Sequence, residues 1–442
     1  MNVGFVSLGC SKNLVVTEQM IGIFKDHGFN IVSDESTADV IVINTCGFIE
    51  SAKQEAIDAI FEMAKYKEKR CKYLIVTGCL VQRYKEDLEK LIKEVDLFVA
   101  VNEYEEFWQK VSMLINKEEF DTSKLDYNRR VLTTGKNMAY LKIAEGCSNK
   151  CTYCAIPYIQ GPYISRKMED ILEEAKVLAQ KGIKEIIVIA QDTTKYGIDI
   201  YGKPMLAELL EKLSEIEEID WIRFLYAYPE TITDELIKVV KENDKICKYF
   251  DIPIQHISDK VLKRMNRKSN GESIRNLIKK IRKEIPEVII RTTVIVGFPG
   301  ETKEQFEELY EFIKEAKFDK LGAFKYSKED GTPAAKLEGD VHSSTKTSRY
   351  NKIMKLQQQI SKEKLEKLKG KKFKVLIETK TFDEKYYVGR TYMDVPEMDG
   401  LVFIKNDGKI KEDIIGTFKM CEIIDVREYD LIAKFEWLYI EN

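Results

Sequence analysis

Three cysteines, Cys147, Cys151 and Cys154, lie in the run Glu145-Gly146-Cys147-Ser148-Asn149-Lys150-Cys151-Thr152-Tyr153-Cys154 and make a CxxxCxxC loop. Three thiolates can hold a four-iron cluster and leave one iron open to chelate a cofactor. A four-cysteine electron-transfer cluster or a closed tetrahedral zinc site has no such open position. Taken alone, the spacing also suits a zinc loop. A second set stands at widely separated places: Ser7-Leu8-Gly9-Cys10, Asn44-Thr45-Cys46-Gly47 and Thr77-Gly78-Cys79. Each follows a short apolar run and adjoins a glycine, which lets backbone approach closely. Free cysteines are often small buried hydrophobes, and that reading of Cys10, Cys46 and Cys79 stays open. Cys71, Cys247 and Cys421 fit no triad and read as inert.

The elements around these thiols decide whether they can meet. In the first hundred residues, apolar runs (Val3 to Leu8, Val40 to Asn44, Tyr73 to Thr77) alternate with helical stretches, about Thr17 to Gly28 and Glu50 to Lys65. That alternation predicts an open parallel α/β sheet. Ligands gather outside the carboxyl ends of such strands, so three strand-end cysteines could share one site. Residues 117–136 lose periodicity and read as a linker between a first unit, 1–116, and a second, 137–369. In the second unit, six strand-like runs (Tyr140 to Ala144, Ile186 to Ala190, Ile222 to Tyr226, Tyr249 to Ile252, Val288 to Val296, Lys320 to Phe324) predict a partial or complete (βα) barrel. The CxxxCxxC loop follows its first strand. A helix from Ser348 to Leu368, ended by Gly370, closes it. Five short runs with Asp, Gly and Asn turns then predict a small OB-like β-barrel over 370–438. The expected fold is therefore α/β multidomain.

The chain has 442 residues, 44% hydrophobic and 33% charged, enough for two or three cores. No segment reaches the roughly 20 apolar residues of a membrane span. With no secretion signal at the N-terminus, a cytoplasmic location is the expectation, and nine cysteines then read as ligands and thiols rather than a disulfide framework. The net charge of −3 does not favour a naked RNA substrate, although a local basic groove stays open.

Taken with Tyr153 and the downstream Gly161-Pro162-Tyr163-Ile164-Ser165-Arg166, the CxxxCxxC loop resembles the MiaB/RimO group of radical S-adenosylmethionine (SAM) methylthiotransferases. The stretches Ser7 to Leu14, Ile189-Ala190-Gln191-Asp192-Thr193, Pro253-Ile254-Gln255-His256 and Val296-Gly297-Phe298-Pro299-Gly300-Glu301 fit that group in order. The opening Gly9-Cys10-Ser11-Lys12-Asn13-Leu14, with Gly389-Arg390-Thr391-Tyr392 and Pro396 to Gly400, resembles the branch that modifies an aspartate β-carbon of the twelfth small-subunit ribosomal protein. The alternative branch modifies an adenosine of transfer RNA. Independently, residues 371–442 hold 12 basic and 15 acidic residues, and an acidic terminal barrel (TRAM-like, by the resemblance) suits a basic protein better than phosphates.

The resemblance implies two [4Fe-4S] clusters, one on Cys147, Cys151 and Cys154 that chelates SAM, and one on Cys10, Cys46 and Cys79 that binds the sulfur to be transferred. SAM would serve as radical source and methyl donor, with an external electron donor and a sulfur source as further partners. Tyr153, Gln191, Asp192, Gly297 and Glu301 are the expected SAM contacts, although Ala190-Gln191-Asp192 replaces the usual glycine-glycine-glutamate element. No residue is singled out for hydrogen abstraction or proton transfer. His256 is read first as structural, and Arg129 and Arg130 as solvated linker charges.

Overall fold

A computed structural model describes residues 1–116, 122–135, 137–408, 410 and 412–436. The first unit is a five-stranded, all-parallel sheet of β1 (Asn2–Ser7), β2 (Asn30–Val32), β3 (Val40–Thr45), β4 (Tyr73–Gly78) and β5 (Leu97–Val99), in the order β2-β1-β3-β4-β5. Helices α1 (Ser11–Asp26), α2 (Glu50–Ala64), α3 (Cys79–Leu91) and α4 (Phe107–Asn116) cover its faces. β3, Val-Ile-Val-Ile-Asn-Thr, is buried along its whole length, as expected of a parallel strand covered on both sides. Two short strands, β2 and β5, were not foreseen; at three residues each they are too brief to show a period. Helix α1 starts at Ser11, six residues before the expected start, because Cys10 caps it without a side-chain hydrogen bond and leaves no sequence signal.

Six strands build the second unit: β6 (Met138–Lys142), then, after a hairpin of β7 (Ala144–Glu145) and β8 (Ile164–Ser165), β9 (Glu185–Ile189), β10 (Trp221–Phe224), β11 (Tyr249–Asp251), β12 (Ile289–Val296) and β13 (Lys320–Lys325). They form two parallel three-stranded sheets, β10-β9-β6 and β11-β12-β13, joined by a parallel bridge between Ile222 and Ile246. Among the described residues no pairing joins β6 to β13, so the barrel is partial. Helices α5 (Ile156–Ile159), α6 (Met168–Gln180), α7 (Ile198–Tyr201), α8 (Leu206–Ser214), α9 (Asp234–Glu242), α10 (Asp259–Arg264), α11 (Gly271–Glu284), α12 (Lys303–Ala316) and α13 (Ser343–Glu366) alternate with or follow them. Capping boxes at Asn270 and Thr302 start α11 and α12.

The third unit is a closed barrel, β14 (Lys372–Lys380), β15 (Tyr386–Arg390), β16 (Val402–Lys405), β17 (Phe418–Val426) and β18 (Leu431–Phe435), in the order β14-β15-β16-β18-β17. Only β16 and β18 pair in parallel, the arrangement of a five-stranded OB-like barrel. It docks on the amino ends of the central strands. Arg390 donates to Glu185 at 2.6 Å and to Glu378, and Arg223 meets Glu185 at 2.9 Å. Burial works against the Glu185 carboxylate, yet Arg390 and Arg223 hold its pKa below the usual value. One apolar cluster draws on all three units: Val15 of α1, Tyr140, Ile187, Trp221 and Tyr249 of the central strands, and Leu376 and Val395 of the terminal barrel.

Of the expected linker, residues 117–121 and 136 lie outside the described residues. The remainder is not a free tether. Arg130 is 1% exposed, ion-paired to Glu18 at 2.9 Å and Glu174 at 3.0 Å, and it donates to the Tyr140 carbonyl. The expectation of a solvated Arg130 is thereby corrected, because its carboxylate partners come from α1 and α6, far away in sequence. Arg129 is exposed as expected, 3.3 Å from Asp26.

Candidate functional site

β1, β3 and β4 are neighbours and parallel, so their carboxyl ends lie side by side and carry Cys10, Cys46 and Cys79 to one edge of the sheet. Gly9, at φ 95°, lies against Cys46: an added Cβ would come 2.7 Å from the Cys46 Cβ. Gly78, at φ 102°, would clash with the Thr45 carbonyl at 2.4 Å, so both turns need glycine. Asn13 ties the edge together. Its Nδ2 donates to the carbonyls of Leu8 and Thr45, at 2.8 and 3.1 Å, while Asn44 donates to the Asn13 carbonyl at 3.0 Å. Burial, and then Cys10 and Cys46, push the Cys79 thiol up to about 12; burial first and Cys10 further down also raise Cys46.

The second triad is framed by the β7–β8 hairpin. The Cys147 N–H donates to the Gly161 carbonyl at 3.1 Å, and the Cys154 N–H to the Cys151 carbonyl at 3.1 Å. Distant segments hold the loop. Asn149 donates to Asp192 at 2.8 Å, and the Thr152 N–H and hydroxyl donate to the carbonyls of Met265 and Arg264, at 3.1 and 2.8 Å. Asn266 donates to the Lys150 carbonyl at 2.8 Å. The basic run Lys263 to Arg267 is therefore a brace for this loop, a part its composition did not announce. Burial and the neighbouring Cys151 and Cys147 push Cys154 up to about 12. Such thiols keep their protons until a metal displaces them.

The segment that follows the second triad meets the first. Cys79 shares a small buried apolar cluster with Ala155 and Ile159, just beyond Cys154, and Gln160 Nε2 lies 3.7 Å from the Cys79 sulfur. On another side, the segment after β10 places one tyrosine by each triad. The Tyr228 hydroxyl is 3.1 Å from the Cys151 sulfur, and the Tyr226 ring centroid is 3.5 Å from Lys12 Nζ, two residues past Cys10. Among the described residues, no group of three His, Cys, Asp or Glu is gathered as a single-ion site would be. At each place the three thiols are close enough to act on one another electrostatically.

Among the expected SAM contacts, Tyr153 packs against Met265, Phe298 and Tyr326. Gln191 follows β9 half-buried, and the Asp192 carboxylate is engaged by Asn149 and Thr194. Gly297, at φ 71°, turns the chain after β12. Glu301 accepts from the N–H groups of Gly297 and Phe298 and pairs with Arg349 at 2.9 Å, so its carboxylate organises that turn. His256 is fully buried, its Nδ1 accepting from the Ser258 N–H at 3.0 Å, and burial with Arg349 lowers its pKa to about 3. Cys71, Cys247 and Cys421 lie in apolar cores. Arg267 was not singled out by sequence. It is 7% exposed, stacks 4.0 Å over the Tyr228 ring beside the radical loop and pairs through Nε with Glu230 at 3.5 Å, while Nη1 has no hydrogen bond among the described residues.

A partial parallel barrel with a CxxxCxxC loop beyond its first strand defines a radical SAM enzyme. The Radical SAM superfamily model matches residues 141–313, the model "Uncharacterized protein family UPF0004" residues 2–100, and the TRAM domain model residues 370–435. Ribosomal protein uS12 methylthiotransferase RimO of Alkaliphilus oremlandii is 66% identical over 442 residues, 100% of each chain. RimO of Acetivibrio thermocellus is 50% identical, covering 98% of each. The chain belongs to the RimO family of radical SAM methylthiotransferases. In fold it is similar to the radical SAM methyltransferase TsrM of Kitasatospora setae, with TM-score 0.58, 11% identity, and coverage of 75% of this chain and 76% of that one. It is also similar to the cobalamin-dependent enzyme OxsB, with TM-score 0.51, 14% identity, and coverage of 82% and 56%.

Proposed function

We propose that this enzyme installs a methylthio group on the β-carbon of an aspartate in ribosomal protein uS12, using two [4Fe-4S] clusters. Cys147, Cys151 and Cys154 would hold the radical cluster, and Cys10, Cys46 and Cys79 the sulfur-carrying one. When bound, the radical cluster supplies the electron that splits SAM into methionine and a 5′-deoxyadenosyl radical able to take hydrogen from an unactivated carbon. The chain's own part is placement. Asn149, Thr152 and Tyr228 fix the radical loop, Asn13 and Asn44 fix the other edge, and the Cys79–Ile159 contact sets the two against each other. Buried residues around Tyr153 keep water from a reactive intermediate.

The observation that carries this reading is the juxtaposition of two triads through Cys79, Gln160, Tyr226 and Tyr228, since sulfur insertion needs the radical and the sulfur at one carbon. We place the working units at 1–116, 137–369 and 370–438 and the enzyme in the cytoplasm, served by an external reductant and a sulfur source. Tyr153, Gln191 and Gly297 are the SAM contacts we would test first, with Asp192 and Glu301 acting by holding loop and turn. The deciding experiment is anaerobic. Reconstituted enzyme with reductant, sulfide and SAM is offered uS12 and transfer RNA separately, and products are read by mass spectrometry. A gain of one methylthio group on a uS12 aspartate is expected, and an adduct on adenosine alone overturns the substrate assignment.

A further inference from the structure

Lys12 stands at the junction of the two triads. It lies on the first turn of α1, two residues past Cys10, and reaches across to the barrel, its Nζ 3.5 Å from the centroid of the Tyr226 ring. Tyr226 is held for this contact. It is a non-glycine residue at φ 61°, and its N–H donates to Asp251 at 3.0 Å. The ring face offers the ammonium a cation–π contact but no countercharge. Asp251, the carboxylate next in reach, is 1% exposed and already pairs with Arg291 at 2.9 Å. Among the described residues Lys12 has no ion-pair partner of its own, although Lys and carboxylate pairs abound elsewhere in the chain.

This partly buried cation stands beside Cys10, over the face of a tyrosine two residues before the one that touches Cys151, and has no carboxylate of its own among the described residues. We infer that Lys12 binds the side-chain carboxylate of the acidic residue that is modified, and so selects an aspartate over its neutral isosteres. The inference rests on the function proposed above. A substrate β-carbon attacked between the two triads carries its carboxylate one bond away, and Lys12, beside Cys10, is the cation placed to receive it. A charge-assisted hydrogen bond would fix that carboxylate and so present the β-carbon.

The test uses reconstituted full-length enzyme, Lys12→Met and Lys12→Arg, with uS12 and with uS12 bearing asparagine at the modified position. For Lys12→Met, the KM for uS12 is expected to rise about tenfold to a hundredfold, the range of a lost charge-assisted hydrogen bond. The preference for aspartate over asparagine should fall in parallel. Lys12→Arg should restore part of both, while iron content, the electron paramagnetic resonance (EPR) spectra of both clusters and the KM for SAM stay as in wild type. Three results overturn the inference: an unchanged KM and aspartate preference, a raised KM for SAM instead, or a shifted potential or lost iron at the N-terminal cluster, which would make Lys12 a countercharge for that cluster. A wild-type enzyme that modifies no ribosomal protein overturns the function and the inference together, and is told apart because it needs no variant.

Discussion

Glu329 pins the N-terminal unit to the barrel, and Glu329→Gln should loosen that joint. The carboxylate, from the loop after β13, accepts from the Glu50 N–H at 3.0 Å and from Ser327 at 2.7 Å, and lies 3.3 Å from Lys53 and 3.5 Å from Arg83. Glu329, Lys53 and Arg83 have side chains only 3%, 10% and 7% exposed. Arg83 also donates to the carbonyls of Gly47, next to Cys46, and Asp330, so the node holds one sulfur-side loop against the radical unit. Removing one partner of a buried ion pair costs about 3–5 kcal/mol. Here the cost is reduced, because glutamine keeps an acceptor, Lys53 retains Glu50 at 2.5 Å and Arg83 retains two carbonyls. About 2 kcal/mol remains, or about a thirtyfold shift toward the undocked form. Hydrogen exchange read by mass spectrometry should show faster exchange at residues 47–53 and around Arg83. Methylthio product should fall while iron content holds, since no ligand is touched. Unchanged exchange there, with unchanged product, would refute a docking role for Glu329.

Three further perturbations probe other parts of the molecule. Replacing Cys10, Cys46 and Cys79 together by alanine should cut iron from about eight to about four atoms per chain and abolish methylthiolation. The same change at Cys147, Cys151 and Cys154 should also abolish 5′-deoxyadenosine, and full iron in either variant would count against two clusters. Arg390→Met leaves Glu185 buried with Arg223 alone, at a cost of about 3–5 kcal/mol, and calorimetry should show the terminal barrel melting in an earlier, separate transition; a single unshifted transition argues against the node. His256 has a folded pKa of about 3 against an ordinary 6.5, so the unfolded chain binds the extra proton. Its contribution is complete above pH 6.5 and is lost as pH falls toward 3, by roughly 2 kcal/mol at pH 5. Urea unfolding between pH 5 and 7.5 should show this slope, and His256→Gln should remove it.

Part of the site was legible because it depends on local order. CxxxCxxC puts three thiols on one loop whatever surrounds them, and three strand-end cysteines in a βα alternation must reach one sheet edge once the strands are parallel neighbours. The glycines beside them were readable for the same reason, and Gly9 and Gly78 do occupy left-handed backbone. The closed terminal barrel was readable from turn residues and apolar alternation.

What sequence hid are pairings between residues far apart. Arg130 looks like a linker charge until Glu18 and Glu174 close on it, and Glu329 like a loop acid until α2 and α3 arrive. The run Lys263 to Arg267 carries no spacing that announces a role, yet its backbone carbonyls and Asn266 brace the radical loop. The sequence by itself determined which thiols exist, their spacing on the loop and the strands that carry them, since covalent order and hydrophobic period suffice for that. Only the tertiary structure decided that the segment after Cys154 packs on Cys79, that Lys12 lies over Tyr226 and that the terminal barrel docks on the far end of the central strands. Those contacts come from burial of side chains that share no local pattern.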